Sequence, residues 1–166
     1  MLLRSALMLC ILCFPLIVFS IGDFKPTSEE LNLLPEYCKP RATGWGDDIK
    51  DPRVKRWYTI FGEDWRHMHH YCKGLYHINQ GNRPIDKKMF HFHSAIRELS
   101  YSLRRAEPRG KKSILLPLLY TKIGDAYVGL GDKVKAETYY RKSIVKVAQH
   151  SSAYKRLVTL LIRSSR

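Results

Sequence analysis

Six of the seven histidines fall between positions 67 and 93. His67, His69, His70 and His77 lie on one predicted helix, and His91 and His93 on the next. At 100° per residue, His67, His70 and His77 come within about 80° of one helical face. Imidazoles grouped in this way can hold zinc or copper, so a periplasmic metal carrier using the His67–His93 cluster is one reading. A haem carrier is its relative, although no Cys-x-x-Cys-His attachment sequence is present. Against a metal centre, no carboxylate or thiolate completes a ligand set at the right spacing, and Cys72 has another use. No metal and no cofactor is expected.

Other reactive residues point away from catalysis. There is no Gly-x-Ser-x-Gly elbow, phosphate-binding loop or zinc-protease motif. Glu63-Asp64 pairs two carboxylates, but at a predicted helix start, where the macrodipole accounts for them. Trp57, Tyr58, Phe61 and Trp65 offer a stacking platform for sugars or bases. Yet Trp57, Phe61, Trp65 and Met68 recur at three- and four-residue steps, the pattern of a core stripe. The expectation is a protein that is not an enzyme.

Four cysteines are present. Cys10 and Cys13 fall in an apolar N-terminal run, neither at its end, where a lipid-acceptor cysteine belongs. Cys38 and Cys72 remain, an even pair suited to a disulfide outside the reducing cytoplasm. The bond closes a loop of about 33 intervening residues and contributes roughly 3–4 kcal/mol in the chain-entropy picture. Two separate buried thiols are the alternative. The run itself, Ser5 to Ile21, carries no charge after Met1-Leu2-Leu3-Arg4. That is the plan of an export signal, with Val18-Phe19-Ser20 as a cleavage site. At about 17 residues it also meets the lower limit of a membrane span. Residues 1–22 are therefore a cleaved signal or a retained anchor. Either way the bulk of the chain is exported, to the periplasm or the outer face of the inner membrane.

The elements that would position these residues are all helical. Thr27-Ser28-Glu29-Glu30 is a capping box opening a helix over 28–37. Residues 39–50 read as loop, and Asp51-Pro52 opens a helix to Phe61. Gly62 breaks it, and a long helix follows from Asp64 to Asn79, stopping at Gly81. Pro84-Ile85-Asp86 starts the next, ending near Ala106. Ser113 caps one to Leu130. Further helices cover Lys133–Ala148 and, after Ser151-Ser152, the stretch to Ile162. No segment alternates with a period of two. The domain reading is an N-terminal cap and loop over 23–62 and a helical domain over 63–166.

The strongest pattern is Tyr120-x-x-Ile123-Gly124-x-x-Tyr127-x-x-x-Gly131, followed by Ala136-x-x-x-Tyr140-x-x-Ser143. Gly124 and Ala136 are small, so two antiparallel helices can approach closely. Tyr120 and Tyr127 flank Gly124 on one face, Tyr140 fills the same seam, and Gly131 permits the reversal. This resembles the tetratricopeptide repeat, a helix–turn–helix unit with small and aromatic residues at fixed offsets. The proline common at the end of such a repeat is absent, and Ala148 stands there. A degenerate upstream copy sets His70, Gly74 and His77 where Tyr120, Gly124 and Tyr127 stand, with Gly81 in place of Gly131. Ala95, Leu99 and Ser102 repeat the spacing of Ala136, Tyr140 and Ser143. Gly74 is 21 residues from Ala95, against 12 from Gly124 to Ala136, so the first unit has a longer turn or longer helices. His70 and His77 are then seam residues rather than ligands.

The segments Leu34-Pro35-Glu36-Tyr37-Cys38-Lys39 and His69-His70-Tyr71-Cys72-x-Gly74-Leu75 also resemble a group of uncharacterised exported proteobacterial repeat proteins. That likeness implies fold and compartment but no activity. Together the resemblances cover roughly residues 31 to 162. They imply an all-α right-handed solenoid of about two tetratricopeptide-like antiparallel hairpins with N- and C-terminal capping helices. They also imply a groove lined by the first helix of each unit, here by Leu118, Thr121, Asp125 and Val128, which would hold a partner helix or extended peptide.

Composition sets the outer bounds. The 166 residues are 45% hydrophobic, enough for a core, and carry a formal net charge of +14. Residues 1–100 hold 14 basic and 11 acidic side chains, net +3, while residues 101–166 hold 15 and 4, net +11. A basic half gathers anions, and in an exported chain these are lipid headgroups or acidic polysaccharide rather than nucleic acid. The expected function is a non-catalytic scaffold of the cell envelope. Its partner is another protein, in the assembly of a secretion, polymer-export or pilus machine. An electrostatic binder of anionic polymer or lipid is a further alternative.

Overall fold

The computed structural model describes residues 24–43, 48–84, 86–146 and 151–164. Among these, the regular structure is helical and no strand occurs, in agreement with the all-α expectation. The Ser5–Ile21 run, Gly44 to Gly46, Ile85 and Ala148 lie outside the described residues.

The N-terminal elements are shorter than the sequence suggests. Helix α1 (Ser28–Asn32) starts at the Thr27/Glu30 capping box. It ends five residues before the expected 37, because Pro35 has no N–H to donate and disfavours helix at Leu34. The chain becomes helical again as α2 (Cys38–Ala42), inside a stretch read as loop. Pro40 is accommodated there because the N–H groups of a first turn need no helical acceptor. Helix α3 (Pro52–Phe61) is capped by Asp51, whose carboxylate accepts from the Arg53 amide. Gly62, at φ 53°, ends it. A 3-10 segment, Gly62–His67, replaces the expected first turns of the next helix, and α4 covers Met68–Gly81.

Helix α5 (Lys88–Ala106) starts a turn later than the proline-based expectation. A second 3-10 segment, Glu107–Lys112, bends at Gly110. Helix α6 spans Leu116–Gly129. The expected cap, Ser113, does not cap it: its hydroxyl donates to Asp64 instead. Gly131 takes φ 79° in the following turn, and Asp132 accepts from the Lys135 amide at 3.0 Å. Helices α7 (Lys133–Lys146) and α8 (Ser151–Ser164) complete the chain.

Consecutive helices pack on one another from α4 to α8, and α4 also touches α6. The pairs are antiparallel. Gly74 faces Leu99 and Gly81 faces Phe92, so advancing along α4 means retreating along α5. Likewise Thr121 meets Ser143 and Asp125 meets Tyr140. The main core gathers Trp65, Met68, Tyr71, Phe92, Leu99, Leu119 and Ile123, with Leu34, Cys38, Val54 and Phe61 from the N-terminal elements. Trp57 packs at its edge against Tyr37. A smaller cluster of Ala136, Tyr140, Leu157 and Leu160 joins α7 to α8. The Cys38–Cys72 disulfide ties α2 to α4, its Cα atoms 5.4 Å apart. Arg41 adds hydrogen bonds to the carbonyls of Trp65 and Arg66 at 2.6 and 3.1 Å. No described helix is long and apolar enough to cross a membrane.

Candidate functional site

The two helical seams use the same devices. A Cβ on Gly124 would lie 2.5 Å from the Tyr140 ring, and one on Gly74 would lie 2.5 Å from Leu99 Cγ. Ala136 and Ala95 are fully buried opposite. Ser143 donates to the Pro117 carbonyl at 2.8 Å, and Ser102 to the His67 carbonyl at 3.0 Å. These bonds occupy equivalent places, since 117 and 67 both stand seven before their glycines. Tyr120 is buried and donates its hydroxyl to Glu107 at 2.6 Å. Burial, together with that carboxylate, raises its pKa. Tyr127 stacks on Tyr139 with 5.5 Å between centroids.

The histidines are taken up by separate neighbours. His70 Nδ1 lies 2.7 Å from Glu98, which Lys73 also reaches at 3.2 Å. Burial pushes the Glu98 carboxyl upward, but the hydrogen bonds from His70 and Lys73 overcome it and hold the pKa at about 2. His77 and His91 bring their Nδ1 atoms to 3.0 Å. Burial and then the His91 charge lower the His77 pKa to about 4. His69 lies beside His70, His67 stands edge-on to Tyr101, and His93 is exposed. Both His70 and His77 face α5, but the side chain that fills the space left by Gly74 is Leu99. Among the described residues no three His, Cys, Asp or Glu side chains come together as a metal site.

The predicted groove is only partly where the sequence placed it. Thr121 is buried between α6 and α7, bonded to Ser143 and the Pro117 carbonyl. It lies three residues before Gly124 and so shares the seam face. Leu118 packs against the main core. Asp125 and Val128 do line an open trough of about 310 Å³, with Ile78 and Asn79 of α4, Asn82 just past its C-terminal end, Lys122 of α6 and Arg156 of α8. Through Val128, Tyr140 and Arg156 it meets a second cleft of about 470 Å³. That cleft runs between the α6–α7 turn and α8, with Leu160 and Thr159 inside and Lys133, Lys155 and Arg163 around it. Asp125 accepts from Tyr140 at 3.0 Å and pairs with Lys122 at 3.1 Å and with Arg156. Its charge is thus already met, and Lys133, Lys155 and Arg163 leave the cleft basic.

The sequence reading missed Asn79, Asn82 and the α8 contribution, although Asn79 and Asn82 stand three apart at the end of a predicted helix. It also missed the role of Asp64. That carboxylate is buried and accepts from Arg109 at 2.5 Å, Ser113 at 2.9 Å and the Leu115 amide at 3.2 Å. Comparison with family models, curated proteins and solved structures found no match for the chain.

Proposed function

We propose that the protein is a non-catalytic binding scaffold of tetratricopeptide type, whose trough across α4, α6 and α8 holds a segment of a partner protein. The observation that carries this reading is the continuity of that trough over three helices that alternate with α5 and α7. The matched glycine seams and the equivalent serine-to-carbonyl bonds support two copies of one unit. Its polar rim (Asn79, Asn82, Lys122) offers partners to a peptide backbone, and its apolar floor (Val128, Leu160) offers a seat for a side chain. A right-handed solenoid of about two repeats, with α8 as the C-terminal cap, is the architecture that goes with this function.

The setting we propose is the cell envelope, with the chain exported and acting in assembly of a secretion, polymer-export or pilus machine. The disulfide and the uncharged Ser5–Ile21 run support export. The test is site-specific photo-cross-linking in intact cells. A cross-linker at Val128, in the trough, gives a discrete adduct with another protein. One at Thr138, exposed on α7, does not. Equal labelling from both positions, or none from Val128, sinks the proposal.

A further inference from the structure

A separate, smaller cleft, of about 120 Å³, lies between the first 3-10 segment and the C-terminal end of α5. Arg66, His67, Ser102, Arg105 and Arg109 line it, together with Glu63 and Asp64. The two carboxylates do not balance the cations. Asp64 is saturated by Arg109, Ser113 and the Leu115 amide. Glu63 is exposed, pairs with Arg66 at 2.9 Å and accepts from Tyr58 at 3.3 Å. Arg105 has no carboxylate within ion-pair distance among the described residues. Its guanidinium lies 5.5 Å from the centre of the Tyr101 ring. Arg109 commits one terminal nitrogen to Asp64 and keeps the rest of its fork.

We propose that this cleft binds one tetrahedral oxyanion, a phosphate or sulfate group, through the guanidinium groups of Arg105 and Arg109 and the ring of His67. The size fits a single such group and excludes a folded partner. Planar guanidinium forks suit phosphoryl oxygens because they donate two parallel hydrogen bonds. The field at His67 agrees: burial and then the charges of Arg105, His70, Arg41 and Arg66 hold its imidazole below its ordinary pKa. An anion would relieve that repulsion. The group can come as free inorganic anion or as the phosphate of a lipid headgroup, and both present the same oxygens.

The experiment follows the ring signals of the histidines by NMR in the full-length protein. Sodium phosphate, sodium sulfate and phosphatidic-acid vesicles are titrated at constant ionic strength against sodium chloride. A saturable shift at His67 is expected, with its pKa rising by about one unit, while exposed His93 follows ionic strength alone. Arg105→Gln weakens the anion roughly tenfold, the loss of a charge-assisted hydrogen bond. Arg105→Lys restores part of it. Saturation by phosphate identifies a free-anion site, and saturation by vesicles alone identifies a headgroup site. A His67 response that is linear, matched by chloride or unchanged in Arg105→Gln overturns the proposal. The wild-type pKa change is read without any variant, so a poorly folding mutant leaves the test intact.

Discussion

Glu98 keeps its charge beneath the α4–α5 surface because His70 and Lys73 reach it there. Its pKa of about 2 stands below the ordinary 4.5, so the native state holds the proton less readily than the unfolded chain. The stability it contributes is complete above pH 4.5 and disappears as pH falls through 2. His77 works in the same direction over a higher window. Its pKa falls from 6.5 to about 4, so its contribution is complete above pH 6.5 and is lost on acidification toward 4. The expected result is a urea-unfolding midpoint that drops in two stages below neutrality. His77→Gln flattens the upper stage and Glu98→Gln the lower. A midpoint independent of pH between 7 and 4 contradicts this account. The sequence exposes these histidines as a cluster but not their partners. The pairings His70–Glu98 and His77–His91 cross from one helix to the next, and local spacing cannot register two helices to the residue.

The helices themselves meet at glycine. The position of Gly124 is legible in sequence because Tyr120, Tyr127, Gly131 and Ala136 sit at fixed local offsets around it. Its close approach to the Tyr140 ring is the reason those offsets matter. Gly124→Ala sets a methyl against a rigid aromatic ring. Overpacking of this kind costs about 1–3 kcal/mol, offset by up to about 1 kcal/mol of improved helix propensity. A net loss of about 1–2 kcal/mol is expected by chemical denaturation. In the Tyr140→Leu background the same change costs less, because a flexible side chain can yield. Equal costs in both backgrounds would separate the two residues. Element boundaries were less legible. Pro35 marks the end of α1 by its missing N–H, yet α2 forms around Pro40 because Cys38 is drawn into the core beside α4. Ser113 looked like a cap by its type, and Asp64, 49 positions earlier, claims its hydroxyl instead. Long-range partners of this sort leave no trace in local pattern.

At the scale of the whole molecule, the all-α class followed from the absence of two-residue alternation and from helix punctuation by Gly62, Gly81, Gly110 and Gly131. The trough was half legible. Asp125 and Val128 face it, but Thr121 was lost to the seam, and the contribution of α8 depends on how α8 docks on Tyr140 and Ala136. The disulfide, 34 positions apart in sequence, acts at this scale because it closes a covalent loop between two separate elements, α2 and α4. Replacing both Cys38 and Cys72 by serine is expected to lower stability by roughly 3–4 kcal/mol, seen as a lower unfolding midpoint without change of helical circular dichroism at low denaturant. An unchanged midpoint would mean that the loop contributes nothing.

The same bond joins α2, near the start of the described residues, to α4. Opening it with a thiol is expected to loosen the N-terminal elements first. In limited proteolysis a reduced sample would be nicked first upstream of residue 52, leaving a resistant fragment that contains the trough. Redox state would then govern the protein's lifetime among proteases more than its grip on a ligand.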